Sequence, residues 1–314
     1  MTVSVIIVNY NTGAVLKECV ESVYKFEDPA EFKIIIVDNN STDDSEKIIK
    51  ELCIKHKEVK NIFLNEKVSF SEANNIGFDI SKGEYVLIMN PDIIFTEPLF
   101  DKLKNKFHEK NNIGAVSPLL IGTDGIFQRR YFQRFPSLTQ FILFYSVFAK
   151  IFEKSDYLLN KYLQNNELNT ESGRVEFTEQ IPCAFLMTTR KIFVESGKMD
   201  AGYKLFFEDV DLCYQIGKNY KIAVDTSLKV THLGGSSFKT SDDHWLHGRF
   251  IISMINFFNK NYSGSKTFVL KKLVLLNSYF VLFIERINSI FGKEDEYRSK
   301  KHNYLLSEYN KTYK

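Results

Sequence analysis

Three segments of this chain carry side chains that could act together on a phosphate-bearing substrate. Asn90-Pro91-Asp92 follows the apolar run Tyr85-Val86-Leu87-Ile88-Met89. A carboxylate at the end of such a run can bind a divalent cation, because hard cations take oxygen ligands and complete their shell with phosphate and water. His232 is the candidate second ligand, and imidazole beside carboxylate suits Mn2+ better than Mg2+. Glu208-Asp209-Val210-Asp211 sets acids among Phe206, Phe207 and Leu212. Those apolar flanks imply that at least one acid faces inward, where burial raises its pKa toward general-base range. Each segment also has an ordinary reading. Asn-Pro-Asp is common turn chemistry, an acidic first turn suits a helix dipole, and a lone histidine is more often structural.

A fourth polar segment, Asp38-Asn39-Asn40-Ser41-Thr42-Asp43-Asp44-Ser45, follows a Val/Ile run and opens a helical pattern. Thr42 and Asp43 have an ordinary use there as helix caps. Asp38, at the strand end, is placed to accept a hydrogen bond from a nucleobase or ribose. Gly234-Gly235-Ser236-Ser237, just after His232, offers backbone N–H groups for phosphate.

The elements that must hold these residues alternate. Val3–Val8 and Lys33–Val37 read as strands around a helix over Ala14–Tyr24, whose Leu16, Cys19, Val20 and Val23 recur at helical spacing. Ser45–His56 is a second helix, Asn61–Leu64 a strand, Glu72–Ile80 a helix and Tyr85–Met89 a strand. This alternation predicts an α/β fold with a mostly parallel central sheet and helices on both faces. Ligands gather at the carboxyl ends of such strands, so Asn9-Tyr10-Asn11-Thr12, Asp38-Asn39-Asn40-Ser41 and Asn90-Pro91-Asp92 should line one crevice.

Composition fits this reading. With 314 residues, 44% hydrophobic and 25% charged, the chain can bury a large core and is not disordered. The net charge of +2 is uneven: residues 259–314 hold eleven Lys and Arg against five acids, a net +6, which leaves −4 elsewhere. No nucleic-acid partner is expected. Cys19, Cys53, Cys183 and Cys213 lack CxxC or zinc spacing, and no signal peptide precedes them, so a reducing cytoplasm is the default.

Six motifs now stand in order: Val8-Asn9-Tyr10-Asn11, Asp38-Asn39-Asn40-Ser41, Asn74-Asn75-Ile76-Gly77, Leu87-Ile88-Met89-Asn90-Pro91-Asp92, Phe206-Phe207-Glu208-Asp209-Val210-Asp211-Leu212 and His232. Over about residues 3–238 the chain resembles family 2 glycosyltransferases with the GT-A fold, and within them the rhamnosyltransferase-like branch that builds O-antigens and capsules. The resemblance implies that Asn9 and Asp38 contact the nucleoside and that Asn75 helps shape the donor pocket. It sets Asn90 and Asp92 at the DxD motif, with Asp92 as its last acid, and Asp209 as the catalytic base. Asn90 replaces the usual first Asp and leaves one fewer charge for a metal. Ser69 and Cys183 stand where the family usually has Gly.

The expected protein is thus an inverting, Mn2+- or Mg2+-dependent hexosyltransferase. It would move rhamnose or another hexose from a nucleoside-diphosphate donor to a saccharide acceptor, expected to be lipid-linked, in cell-surface polysaccharide synthesis. A nucleotidyltransferase would show a basic, Gly-rich loop near the first strand, and Asn9-Tyr10-Asn11-Thr12-Gly13 has no Arg or Lys. A non-catalytic carbohydrate- or nucleotide-binding protein would not need Asp209. The expected domains are a catalytic domain over 1–258 and a basic, apolar helical extension over 259–314. The first comprises a nucleotide-binding half (1–125), an aromatic and basic insertion (126–175) and an acceptor and catalytic half (176–258). Phe268–Ile290 is apolar but interrupted by Lys271, Lys272, Asn277, Glu285 and Arg286. It is expected to contact an anionic surface at the inner face of the membrane, or to pack on the catalytic domain or in a homodimer, and not to span.

Overall fold

The computed structural model describes residues 2–109, 112–163, 168–234 and 244–313. The chain runs β1 (Val3–Asn9), α1 (Gly13–Phe26), β2 (Phe32–Asp38), α2 (Ser45–Lys55), β3 (Val59–Phe63), α3 (Phe70–Ile80) and β4 (Tyr85–Met89), close to the expected bounds. Then come β5 (Ile93–Phe95), α4 (Phe100–Lys106), β6 (Ile113–Ile121), α5 (Leu138–Gln140), α6 (Ala149–Phe152), α7 (Asp156–Tyr162), β7 (Val175–Thr178) and β8 (Phe185–Thr189). The remainder is α8 (Arg190–Glu195), α9 (Glu208–Gly217), β9 (Lys221–His232), α10 (His244–Asn261), α11 (Gly264–Ile290) and α12 (Glu296–Tyr313).

These elements form two compact units. The first draws on Met1–Arg134, Asn165–Gly202 and Glu208–Lys239, the second on Phe135–Gln164, Tyr203–Phe207 and Thr240–Lys314. The first unit holds the sheet, in the order β3-β2-β1-β4-β8-β6-β9-β5, with β7 on a separate stretch of β9. β1 to β4 are parallel neighbours, β6 and β9 run with them, and β5, β7 and β8 run against them. The sheet is therefore mostly parallel. Every residue of β1 and β4 is buried, as expected where a strand is covered on both faces and so reads as an unbroken apolar run. Helix α3 lies so close to β1 that a Cβ on Gly77 would come within 2.7 Å of the Ile6 side chain; glycine is what lets this helix seat.

Strand direction sets the site. β1 ends at Asn9, β2 at Asp38, β4 just before Asn90 and β9 at His232. β8 runs the other way, so its first residue, Phe185, pairs with Met89, and the segment leading into it lies at this same edge. There the Asn90 N–H donates to the Ala184 carbonyl at 3.0 Å.

In the second unit α10, α11 and α12 pack on one another. The aromatic segment joins them: Tyr262 Oη donates to the Pro136 carbonyl at 2.8 Å, the Val147 N–H donates to Asn277 Oδ1 at 2.8 Å, and Phe135 stacks on Phe257. The units thus divide differently from the expected 1–258 and 259–314, a cut that would fall inside α10. The expected insertion, 126–175, is itself shared out. Its aromatic middle belongs with the helices, while Gln128–Arg134 remains with the sheet.

Candidate active site

At the end of β1 and β2, polar side chains are bound mainly to each other. Asn9 is fully buried; its Nδ2 donates to Asp38 Oδ1 at 2.7 Å and to Ser41 Oγ at 3.2 Å, while its Oδ1 accepts from Thr12 Oγ1 at 2.7 Å. Asp38 also accepts from the Ser41 N–H at 2.9 Å and the Ser41 hydroxyl at 2.7 Å. Asn11 ties the two loops from the other side, taking the Thr42 N–H at 2.7 Å. Asn11 and Asn40 both hold positive φ, 54° and 62°, a conformation asparagine tolerates better than most residues. Asn9 is thus the brace and Asp38 the residue at the strand end that it orients.

Asn75, on α3, faces the segment that follows α8. Its Nδ2 donates to the Met199 carbonyl at 2.7 Å and its Oδ1 accepts from the Met199 N–H at 3.2 Å. The side chain therefore fixes a backbone segment in the manner of a strand partner. Ser69 caps the same helix, its Oγ accepting from the Glu72 N–H at 3.2 Å. A serine at that position is explained by capping.

Asp92 and His232 come together through strand register. Ile93 pairs with His232 across β5 and β9, so Asp92 lies one step beyond. Both residues are buried, and Asp92 Oδ1 is 3.4 Å from His232 Nε2. Gln128 sets the imidazole: its Oε1 accepts from Nδ1–H at 2.6 Å and its Nε2 donates to the His232 carbonyl at 2.9 Å. Nδ1 carries the proton that Gln128 accepts, which leaves Nε2 facing the Asp92 carboxylate. Oxygen and nitrogen 3.4 Å apart are close to the roughly 3 Å between neighbouring ligands of an octahedral ion with bonds of about 2.1 Å. The two donors fit one edge of a divalent cation's octahedron, and a hydrogen bond on the far ring nitrogen is the usual support of a metal-binding histidine.

Gly234 completes this corner. At φ 67° its N–H donates to Asp92 Oδ2 at 3.1 Å. The first N–H of the expected phosphate-binding run is thus used on Asp92, and Gly235, Ser236 and Ser237 lie outside the described residues. An open cleft of about 500 Å³ adjoins it, with Gln128, Arg129, Arg130 and Leu233 in its wall. Asn90 is half-buried beside Asp92, its carbonyl facing the buried Cys19 thiol at 3.8 Å.

Glu208 and Asp209 open α9 immediately after Phe206 and Phe207, which hold φ of 64° and 70°. Two bulky residues in left-handed conformation are costly, about 1–3 kcal/mol each. Burial, then the neighbouring Asp209 charge, pushes the Glu208 carboxyl well above the usual carboxylate range. Its Oε2 is shielded from solvent and has no hydrogen-bond partner among the described residues. Burial raises Asp209 as well, opposed by N–H donors from Val210, from its own backbone and from Cys183; the Val210 bond measures 2.8 Å. Glu208 has one backbone donor for its anion, its own N–H, against three on Asp209, so Glu208 is the member that burial favours in the protonated form. Cys183 is in turn next to Ala184, which receives the Asn90 N–H. The acidic turn and the Asp92 corner are thus two stations on one edge of the sheet.

Gln128 and Met199 carry parts of this arrangement without having stood out in the sequence, whereas Thr12 and Ser41 sit inside singled-out motifs. Gln128 lies 104 residues from His232 and has no local pattern to mark it.

Comparison with known proteins bears on the family and the fold. The family model described as Glycosyl transferase family 2 matches residues 4–174. Glycosyltransferase GlyG of Streptococcus pneumoniae is 34% identical over 109 residues, 35% of this chain and 36% of that protein. Over most of its length the chain is 24% identical to the Staphylococcus aureus poly(ribitol-phosphate) beta-N-acetylglucosaminyltransferase TarP, covering 97% of this chain and 94% of that one. Among solved structures, the fold matches GalNAc-T7 with UDP, GalNAc and Mn2+ at a TM-score of 0.58 and 15% identity, over 96% of this chain and 55% of that one. It also matches the mannosyltransferase PcManGT of Pyrobaculum calidifontis, with GDP-Man and Mn2+, at 0.56 and 14% identity, over 99% and 87%. The architecture is the GT-A fold, and the chain belongs to glycosyl transferase family 2.

Proposed function

We propose that this protein is an inverting glycosyltransferase that uses a nucleoside-diphosphate sugar and a divalent cation. The observation that carries the reading is the pair of stations on one sheet edge: Asp92 facing His232 at 3.4 Å, and Asp209, raised in pKa by burial and held by three backbone donors, beside Glu208. Asp92 and His232 would hold the cation, with the donor diphosphate and water completing its shell; bound there, it neutralises charge on the departing diphosphate. Asp209 takes the proton from an acceptor hydroxyl as that oxygen bonds to the anomeric carbon, and the bond from that carbon to the diphosphate oxygen breaks. One displacement from the opposite face inverts the centre, with no covalent sugar intermediate of the kind formed in retaining glycosidases. Asp38, braced by Asn9, receives the nucleoside, and Asn75 keeps the Met199 segment at the donor side.

Asn90-Pro91-Asp92, the form of the motif common in the rhamnosyltransferase-like branch that the chain resembles, supports including a deoxyhexose in the donor panel. TarP, by its name a poly(ribitol-phosphate) glycosyltransferase, supports testing an anionic polyol polymer beside lipid-linked saccharides as acceptor. The test is a thermal-shift panel of nucleoside diphosphates with and without Mn2+ or Mg2+. A ligand bound only by the native state raises Tm by mass action, and the reading expects one nucleotide to do so strongly only with cation. A Tm unmoved by every nucleotide, with cation present, would remove it.

A further inference from the structure

Helix α11 has two faces. Leu270, Val274, Ser278, Val281 and Glu285 are buried, at helical spacing, in the seam with its neighbours. On the opposite face Phe268, Leu276, Tyr279, Phe280, Phe283 and Ile290 are between 50% and 76% exposed. That face runs for most of a 27-residue helix, about 40 Å long. A second patch belongs to it: Phe148 and Ile151 are 49% and 68% exposed, and the adjoining Val147 N–H is bound to Asn277 of α11 at 2.8 Å. Isolated exposed apolar residues need no explanation, whereas a continuous band of this length marks an interaction surface.

We infer that this face lies flat in the interface of an anionic lipid bilayer. Charge favours that occupant. Lys272 and Arg286 fall on the exposed face by helical spacing, and the only acid in the helix, Glu285, is turned into the seam, paired with Arg298 at 2.9 Å and with the Asp295 N–H at 3.0 Å. The outer face thus joins large apolar side chains to cations and has no carboxylate, the pattern of helices that settle among anionic headgroups. A second copy fits poorly. A two-fold contact lays the face against itself, and Lys272 and Arg286 stand seven residues either side of Tyr279. An antiparallel pair centred there would set lysine against arginine with nothing to neutralise either.

The helix is long and apolar enough to cross a membrane, yet the seam forbids it. Crossing would strip Glu285 from Arg298 and Ser278 from His302, or carry into hydrocarbon an α12 that holds Glu296, Arg298, Lys300, Lys301, Glu308 and Lys311. Lying in the interface keeps those contacts and places only the outer face in lipid.

The test is co-sedimentation of the full chain with phosphatidylglycerol vesicles and with pure phosphatidylcholine vesicles. Binding is expected to the anionic vesicles alone and to weaken as salt rises. The double variant Leu276→Glu, Phe283→Glu, on exposed positions, should keep its Tm and lose at least about tenfold in bound fraction. Lys272→Glu with Arg286→Glu, which leaves the apolar residues in place, should lose the preference for anionic lipid. Equal binding to both vesicle types, no binding at low salt, or resistance to alkaline extraction from cell membranes would overturn the inference, the last because it indicates a spanning helix. A solution dimer dispersed by Leu276→Glu, Phe283→Glu, without vesicle binding, would assign the face to a second copy. The inference is independent of the catalytic reading: Asp209→Asn should bind vesicles as wild type does.

Discussion

Gln128 clasps His232 by both ends, accepting from the imidazole Nδ1–H at 2.6 Å and donating to the histidine's own carbonyl at 2.9 Å. The ring can then neither rotate nor switch tautomer without breaking a bond, and Nε2 stays directed at Asp92. Gln128→Leu removes both bonds with little change in bulk. Mn2+ affinity in the presence of nucleoside diphosphate, read by the loss of the free-ion EPR signal, should fall about 10–100-fold. An unchanged Mn2+ titration would show that Gln128 does not prepare the site.

The pH profile should carry the mark of the acidic pair. Both carboxyls titrate above their ordinary range, so activity should rise with pH on a limb displaced upward from that of a free carboxylate. The native pair also holds protons that the unfolded chain has already released. Stability therefore falls as pH rises from the ordinary carboxylate range through the raised native one. Glu208→Gln removes the proton-holding member: it should flatten that fall in Tm and cost far less activity than loss of Asp209. An equal loss of transfer in both variants would contradict the division of roles.

Asn75→Ala leaves the Met199 N–H and carbonyl without the partners they have at 3.2 and 2.7 Å. A loss of about 1–3 kcal/mol is expected for polar groups stranded in a half-buried place, read as a lower urea midpoint at unchanged m-value. A midpoint equal to that of wild type would mean that solvent replaces both bonds.

Much of this architecture is legible along the chain because its signals are local. β1, β2 and β4 are unbroken apolar runs, and the polar residues that end them, Asn9, Asp38 and Asn90-Pro91-Asp92, do reach one edge of the sheet. The inward turn of the acidic cluster was likewise readable from Phe206, Phe207 and Leu212. β6 was harder, since Gly114 and Pro118 interrupt its pattern and its register with β9 shifts at both places. The unequal treatment of Glu208 and Asp209 has no local signature, because it depends on an N–H delivered by Cys183, far away in sequence. The unit boundary was hidden for a similar reason: what 135–148 packs against cannot be read from its own residues.

The most direct test of the account is single-turnover transfer by Asp209→Asn, measured alongside its affinity for the nucleoside-diphosphate donor. The substitution keeps size and shape and removes the base. Transfer should fall by about 10²–10⁴, while Tm and donor affinity with cation stay close to wild type. Transfer within a few-fold of wild type, with donor still bound, would contradict the assignment of Asp209 as the base and with it the proposed mechanism.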